Sequence, residues 1–225
     1  MSSMITLEEV VKEYQMGENI VQALRNAEVD IKEGEFAAIM GPSGSGKSTL
    51  MNMIGALDKP TRGEVTVGGE PISELSEDQL AALRSEKVGF IFQQFNLIPS
   101  MNATENVSLP MLFRGVSAKE RKEKAEELLT KVGLGERLDH MPSELSGGQR
   151  QRVSIARALA NNPEIILADE PTGNLDSETG ENIMNLLTEL NNEGKTIIMV
   201  THDKNDAEYA DRIINIVDGK TGVEA

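Results

Sequence analysis

A chain of 225 residues can bury a substantial core and suits one α/β domain carrying an insertion. Its net charge of −15, with 22 basic residues spread along the chain and no run of five or six of them, excludes the footprint of a nucleic-acid-binding protein. The absence of cysteine excludes disulfides and thiolate metal sites, and no apolar stretch approaches the roughly 18 to 20 residues of a membrane-spanning helix. The acidity reads as a solubilising surface. The start, Met1-Ser2-Ser3-Met4, lacks the charged-then-apolar pattern of a signal peptide, which makes the cytoplasm the expected compartment.

The first forty residues alternate short apolar segments, 5–11, 20–24 and 27–31, with charged turns, a pattern that predicts antiparallel strands beside the strand that follows. Tyr14, one of two tyrosines, ends the first segment; its position suits a half-buried edge as well as stacking on a purine. The apolar run 36–40 then leads into Gly41-Pro42-Ser43-Gly44-Ser45-Gly46-Lys47-Ser48-Thr49 and the helix-compatible stretch 48–57. This is GxxxxGK[ST] in the strand, loop, helix setting it requires. Its glycines let successive N–H groups turn inward around a polyphosphate, and the helix starting near Lys47 aims its positive end at the same place. Lys47 is then placed for the β- and γ-phosphates and Ser48 for Mg²⁺.

Residues 63–69 read as strand and turn, and Ser76-Glu77-Asp78-Gln79 is a capping box opening a short helix to about Arg84. A strand over 88–92 runs into Gln93-Gln94. Residues 95 to about 144 change character, with helices predicted over 102–113 and 117–132, the second opened by Ser117 and Glu120 and closed by Gly133. This stretch reads as a helical subdomain inserted between core parts at about 1–94 and 145–225. Its apolar residues Phe95, Leu97, Ile98, Met101, Leu109, Met111, Leu112 and Phe113 either pack that insert or line a groove for a partner's helix. Leu145-Ser146-Gly147-Gly148-Gln149 opens a helix to about Asn161 with Val153, Ala156, Leu159 and Ala160 on one face. The run 165–168 is a buried parallel strand delivering Asp169 and Glu170 at its carboxyl end. A helix with Ile183, Leu186, Leu187 and Leu190 follows Asn174-Leu175-Asp176; a strand over 196–200 ends at Thr201-His202-Asp203, and two last strands turn near Asp218-Gly219.

Phosphoryl transfer to water needs a phosphate cradle, a divalent metal, a group that orients or deprotonates water, and stabilisation of transition-state charge. Asp169 is the candidate for the metal. Glu170, one residue on and facing the other way, is the candidate general base. Gln93 can hold Mg²⁺ or the water through its amide, and His202 is expected at the same rim; His140, in a polar stretch, reads as structural.

Taken in chain order, residues 41–48, Gln93, residues 145–149, residues 165–170, residues 174–176 and His202 resemble the Walker A, Q-loop, LSGGQ signature, Walker B, D-loop and H-loop of ATP-binding-cassette (ABC) transporter nucleotide-binding subunits. The resemblance covers nearly the whole chain. It implies an α/β fold: a P-loop NTPase core with a mixed sheet, an N-terminal antiparallel β subdomain and an inserted α-helical subdomain. It implies ATP and Mg²⁺ as cofactors, Tyr14 stacking on adenine, and His202 steadying γ-phosphate and water. Ser146, Gly147, Gly148 and Gln149 would bind the γ-phosphate of ATP held by a second copy, so the working unit resembles a head-to-tail dimer, with Asp176 contacting the facing site. Gln93 would join the metal site to the helical subdomain, where an integral membrane permease docks, which places the chain on the cytoplasmic side of the membrane. Tyr14-x-Met16-Gly17 and the segments 92–97 and 169–176 are most similar to the group serving lipoprotein release and macrolide export, in its stand-alone form. The alternative, a soluble ABC ATPase acting on ribosomes, DNA or protein assembly, usually brings two cassettes, a long coiled-coil insertion or metal-binding cysteines; a pull-down separates the two.

Overall fold

The computed structural model describes residues 2–17 and 19–224; Met1 and the side chain of Met16, both used above, lie outside what it describes. The chain forms two compact units, Met1–Arg84 with Asn191–Ala225, and Ser85–Leu190.

In the first unit, β1 (Ser3–Met16), β2 (Asn19–Lys32), β4 (Arg62–Val67) and β5 (Glu70–Pro71) form an antiparallel sheet in the order β2-β1-β4-β5. The segments expected at 20–24 and 27–31 are one strand. The register passes from Val10↔Ala27 to Lys12↔Leu24, so β2 spends one residue more than β1, and Asn26, at φ 52, absorbs it. A bulge thus sits where the polar Arg25-Asn26 pair suggested a turn. This sheet is separate from the one carrying the glycine-rich loop, where β3 (Phe36–Met40), β8 (Thr196–Val200), β9 (Arg212–Val217) and β10 (Lys220–Glu224) run in the order β10-β9-β3-β8. β3 is parallel to both neighbours, while β9 and β10 close as a hairpin whose turn residues Asp218 (φ 49) and Gly219 (φ 78) have the positive φ that matches strand twist. β8 is buried throughout and β3 except at Met40, which explains their unbroken apolar sequence. α1 (Lys47–Ile54) follows β3 and buries Leu50, Met51, Met53 and Ile54. α2 (Glu77–Lys87) opens as predicted, Ser76 N–H donating to Gln79 Oε1 at 2.8 Å and Gln79 N–H to Ser76 Oγ at 3.3 Å, and continues past Arg84.

In the second unit, β6 (Val88–Phe92) and β7 (Ile165–Asp169) are parallel, in register from Val88↔Ile165 to Phe92↔Asp169. Four helices accompany them: α3 (Ala103–Phe113), α4 (Ala118–Lys131), α5 (Gly147–Ala158) and α6 (Ser177–Asn192). Asn102 with Glu105 and Ser117 with Glu120 are reciprocal caps, and Gly133, at φ 78, ends α4 in the left-handed conformation that favours glycine. α5 stops three residues short of Asn161, and the expected Val153, Ala156, Leu159 and Ala160 are all buried. The apolar residues of 95–113 divide between the two expectations. Met111 is core, Leu112 and Phe113 are 46% and 80% exposed, and Phe95, Leu97, Ile98, Met101 and Leu109 are half-buried. Among the described residues no helix is long and apolar enough to cross a membrane.

Candidate nucleotide site

The glycine-rich loop is pressed against backbone. A Cβ on Gly41 would lie 2.1 Å from the carbonyl oxygen of Ile216 in β9, and one on Gly46, at φ 108, would lie 2.7 Å from that of Ala23 in β2. Lys47 Nζ turns back over the loop, donating to the carbonyls of Gly41 (2.8 Å) and Pro42 (3.0 Å). Gly46 caps α1 without a side chain, whereas α3, α4 and α5 each satisfy their first N–H groups with a capping box. The donors and the positive dipole end of α1 thus lack a side-chain acceptor. Ser45 Oγ is buried and has no hydrogen-bond partner. Ammonium, amide and hydroxyl donors together suit a polyphosphate, and the Ser48 hydroxyl is a hard oxygen ligand of the kind Mg²⁺ takes. Among the described residues no cluster of three or more His, Cys, Asp or Glu side chains could cage a metal. Mg²⁺ needs no such cage, since it binds through one or two carboxylates plus phosphate oxygens.

Tyr14, on β1, is half-buried, and its hydroxyl donates to Asp58 Oδ2 at 3.0 Å. Burial and the Asp58 carboxylate push its phenol up from the ordinary value. Burial also works against the charge on Asp58, but hydrogen bonds from Lys12, the Lys59 N–H and Tyr14 outweigh it and hold the carboxyl below its ordinary range. His202 is exposed just after β8, and Asp203 caps the short α7 (Lys204–Ala207).

In the second unit the register Phe92↔Asp169 brings Gln93 and Glu170 to the same end of the β6–β7 pair as Asp169. Strand alternation does not aim Glu170. β7 ends at Asp169, and Glu170 stands at φ 44, left-handed backbone that non-glycine residues adopt mainly in tight turns; here Gly173 N–H donates to its carbonyl at 3.1 Å. The segment after it folds over Gln93. Asn174 Nδ2 donates to the Gln93 carbonyl at 2.8 Å, and a Cβ on Gly173 would lie 2.7 Å from Gln93 Nε2.

Ser146 is the N-cap of α5, accepting from Gln149 N–H at 3.3 Å while Gln149 Oε1 accepts from Ser146 N–H at 2.9 Å. Asp176 does the same for α6, accepting from Thr179 N–H at 2.9 Å and Thr179 Oγ1 at 2.7 Å, bonds that lower its carboxyl from the ordinary value. Thr179 joins the two segments, because a Cβ on Gly148 would fall 2.3 Å from its Cγ2. Gly148→Ala is therefore expected to destabilise the chain by about 1–3 kcal/mol through overpacking. Thr179→Ser, which removes that methyl and keeps the hydroxyl for Asp176, should restore most of the loss in a double-mutant thermal melt.

Four residues escaped sequence reasoning. Arg157 donates to the carbonyls of Phe95 (2.8 Å) and Asn96 (2.5 Å), and Arg150, two turns earlier on α5, lies 5.1 Å from the Phe95 ring centroid. They hold the loop after Gln93, where Phe95 and Asn96 have φ of 60 and 49. The seven-residue spacing of the two arginines was a visible signal; the loop's backbone was not. Lys12 and Asp58, around Tyr14, had no signal at all.

A sequence model of the family described as ABC transporter matches residues 24–173. The chain belongs to the ABC transporter family. It is an ATP-binding component of such transporters, and its fold is the ABC ATPase cassette. It is 57% identical over 222 residues to the uncharacterized ABC transporter ATP-binding protein MJ0796 of Methanocaldococcus jannaschii, covering 96% of this chain and 94% of that one. The macrolide export ATP-binding/permease protein MacB of Mannheimia succiniciproducens is 56% identical over 218 residues, which span 97% of this chain and 34% of MacB. Among solved structures, a dimeric post-hydrolysis state of the MJ0796 cassette bound to ADP and Pi superposes with a TM-score of 0.89 at 54% identity, covering 99% of this chain and 97% of that one.

Proposed function

We propose that the chain hydrolyses ATP with Mg²⁺ as a head-to-tail dimer on the cytoplasmic side of a membrane and so drives a separate permease subunit. The observation that carries this reading is the loop 41–49: a helix N-terminus without a side-chain cap, glycines packed on backbone, and Lys47 turned over them. Gly41, Pro42, Ser43, Gly44, Ser45, Gly46, Lys47, Ser48 and Thr49 receive the phosphates, and Tyr14 stacks on the adenine. Ser48, Asp169 and Gln93 hold Mg²⁺, Glu170 is the general base and His202 steadies the γ-phosphate. Ser146, Gly147, Gly148, Gln149 and Asp176 serve the ATP of the second copy; a dimeric state of MJ0796 with ADP and Pi supports this arrangement. Residues 95–144 act as the subdomain that meets the permease. The name of MacB, which joins an ATP-binding part to a permease, supports a membrane partner, as does the exposure of Leu112 and Phe113.

The test is affinity purification from the membranes of cells that make the protein, beside phosphate release with and without Mg²⁺. A polytopic membrane protein should co-purify with the wild type. It should be lost with Phe113→Asp, whose side chain is too exposed for its replacement to change the thermal melt by more than about 0.5 kcal/mol. Ribosomal or DNA-associated partners, or hydrolysis indifferent to Mg²⁺, would count against it.

A further inference from the structure

Lys12 is an unusual lysine for a surface sheet. Its side chain is only 12% exposed, and its ammonium donates to Asp58 Oδ1 at 2.6 Å and to the Lys59 carbonyl at 2.7 Å. The same ammonium stands 5.0 Å from the centroid of the Tyr14 ring. Asp58 lies in the turn that follows α1, where its own N–H donates to Asn52 carbonyl at 3.3 Å. Its Oδ1 also accepts from Lys59 N–H at 2.8 Å, leaving Oδ2 for the Tyr14 hydroxyl.

A tyrosine side chain has two torsions, and these contacts restrain both: the hydroxyl is tied to Asp58, and one ring face is covered by a cation. An unbraced tyrosine would lose rotamer freedom each time a base stacked on it. A braced one has that cost removed beforehand, which is the usual way preorganisation raises affinity. The cation also draws π density toward the covered face and leaves the opposite face for an electron-rich ring.

We propose that Lys12 and Asp58 are positioning residues for the purine: they fix the plane of Tyr14 so that its face opposite Lys12 receives the base. This rests on Tyr14 being the base-stacking residue.

The experiment exploits a chain with no tryptophan and two tyrosines. In a Tyr209→Phe background the remaining emission is that of Tyr14, while calorimetric titration, which needs no fluorophore, compares ATP with inorganic tripolyphosphate, which has phosphates and no base. Tyr14→Ala should weaken ATP about ten- to a hundredfold and tripolyphosphate hardly at all, as loss of one base–aromatic stack implies. Lys12→Met and Asp58→Ala should weaken ATP by roughly three- to tenfold, again sparing tripolyphosphate, and should reduce the quenching of Tyr14 at saturating ATP. Asp58→Asn, which keeps an oxygen for the phenol, should recover part of the loss. If Tyr14→Ala weakens ATP selectively while Lys12→Met and Asp58→Ala do not, the stacking reading stands and the positioning role is overturned. Equal weakening of both ligands by those two variants also overturns it, since that marks a brace of the fold. If Tyr14→Ala leaves the difference between the ligands unchanged, the stacking reading fails and the proposal with it. Lys12→Met leaves the Asp58 bonds to Tyr14 and Lys59 in place, so it decides the matter should Asp58→Ala not fold.

Discussion

Glu170→Gln lowers ATP turnover by about a hundredfold or more and leaves ATP binding intact, the loss expected when a general base is removed. Glutamine has nearly the shape of glutamate and tolerates the same backbone, so the φ of 44 at this position and the bond from Gly173 N–H to its carbonyl are retained. What changes under the proposed role is chemical: no group would take the proton from the attacking water, and one negative charge near the γ-phosphate would be gone. ATP bound between two copies is then no longer consumed. Size-exclusion chromatography in ATP should show a dimer peak that outlasts the wild type's, while phosphate release falls away. Normal hydrolysis by the variant would remove Glu170 from the mechanism.

Local chemistry makes Glu170 a candidate from the sequence alone. An apolar run of four ending in two carboxylates is what a buried parallel strand looks like, and β7 is buried from Ile165 to Ala168. The helix starts were legible for the same reason: Ser76, Ser117 and Ser146 are each followed three residues on by glutamine or glutamate, and each pair makes its reciprocal bonds. Long-range contacts were not legible. Lys12 and Asp58 are 46 residues apart, and nothing in either neighbourhood announces that one carboxylate gathers Lys12, Tyr14 and Lys59. Backbone sign was equally hidden. Asn26 at φ 52 turns an expected loop into a bulge, and Glu170 at φ 44 takes its side chain out of the strand's alternation. Gly148 was legible as part of a motif. Its need to lack a Cβ comes from Thr179, which only the packing of α6 brings to it.

A Lys47→Ala chain mixed with a Ser146→Arg chain recovers ATPase activity that neither has alone. Lys47→Ala removes the ammonium that lies over the Gly41 and Pro42 carbonyls, and Ser146→Arg removes the cap of α5 and sets a long cation at its N-terminus, against the dipole. Each homodimer then has two damaged sites. In the mixed form of the proposed head-to-tail dimer one site would carry both lesions and the other neither, because the intact Lys47 of one copy would face the intact Ser146 of the other. Equal mixing makes about half of the dimers mixed, each with one good site of two, so recovery is bounded near about a quarter of wild type. Activity falls below that bound if both sites must close before either fires, the signature of a coupled interface. The control is dimer formation by the mixture in ATP, followed with differently tagged chains. A site built within one copy predicts no recovery at all, so clear recovery excludes it. Mixed dimers that form in ATP yet never hydrolyse count against two independent shared sites.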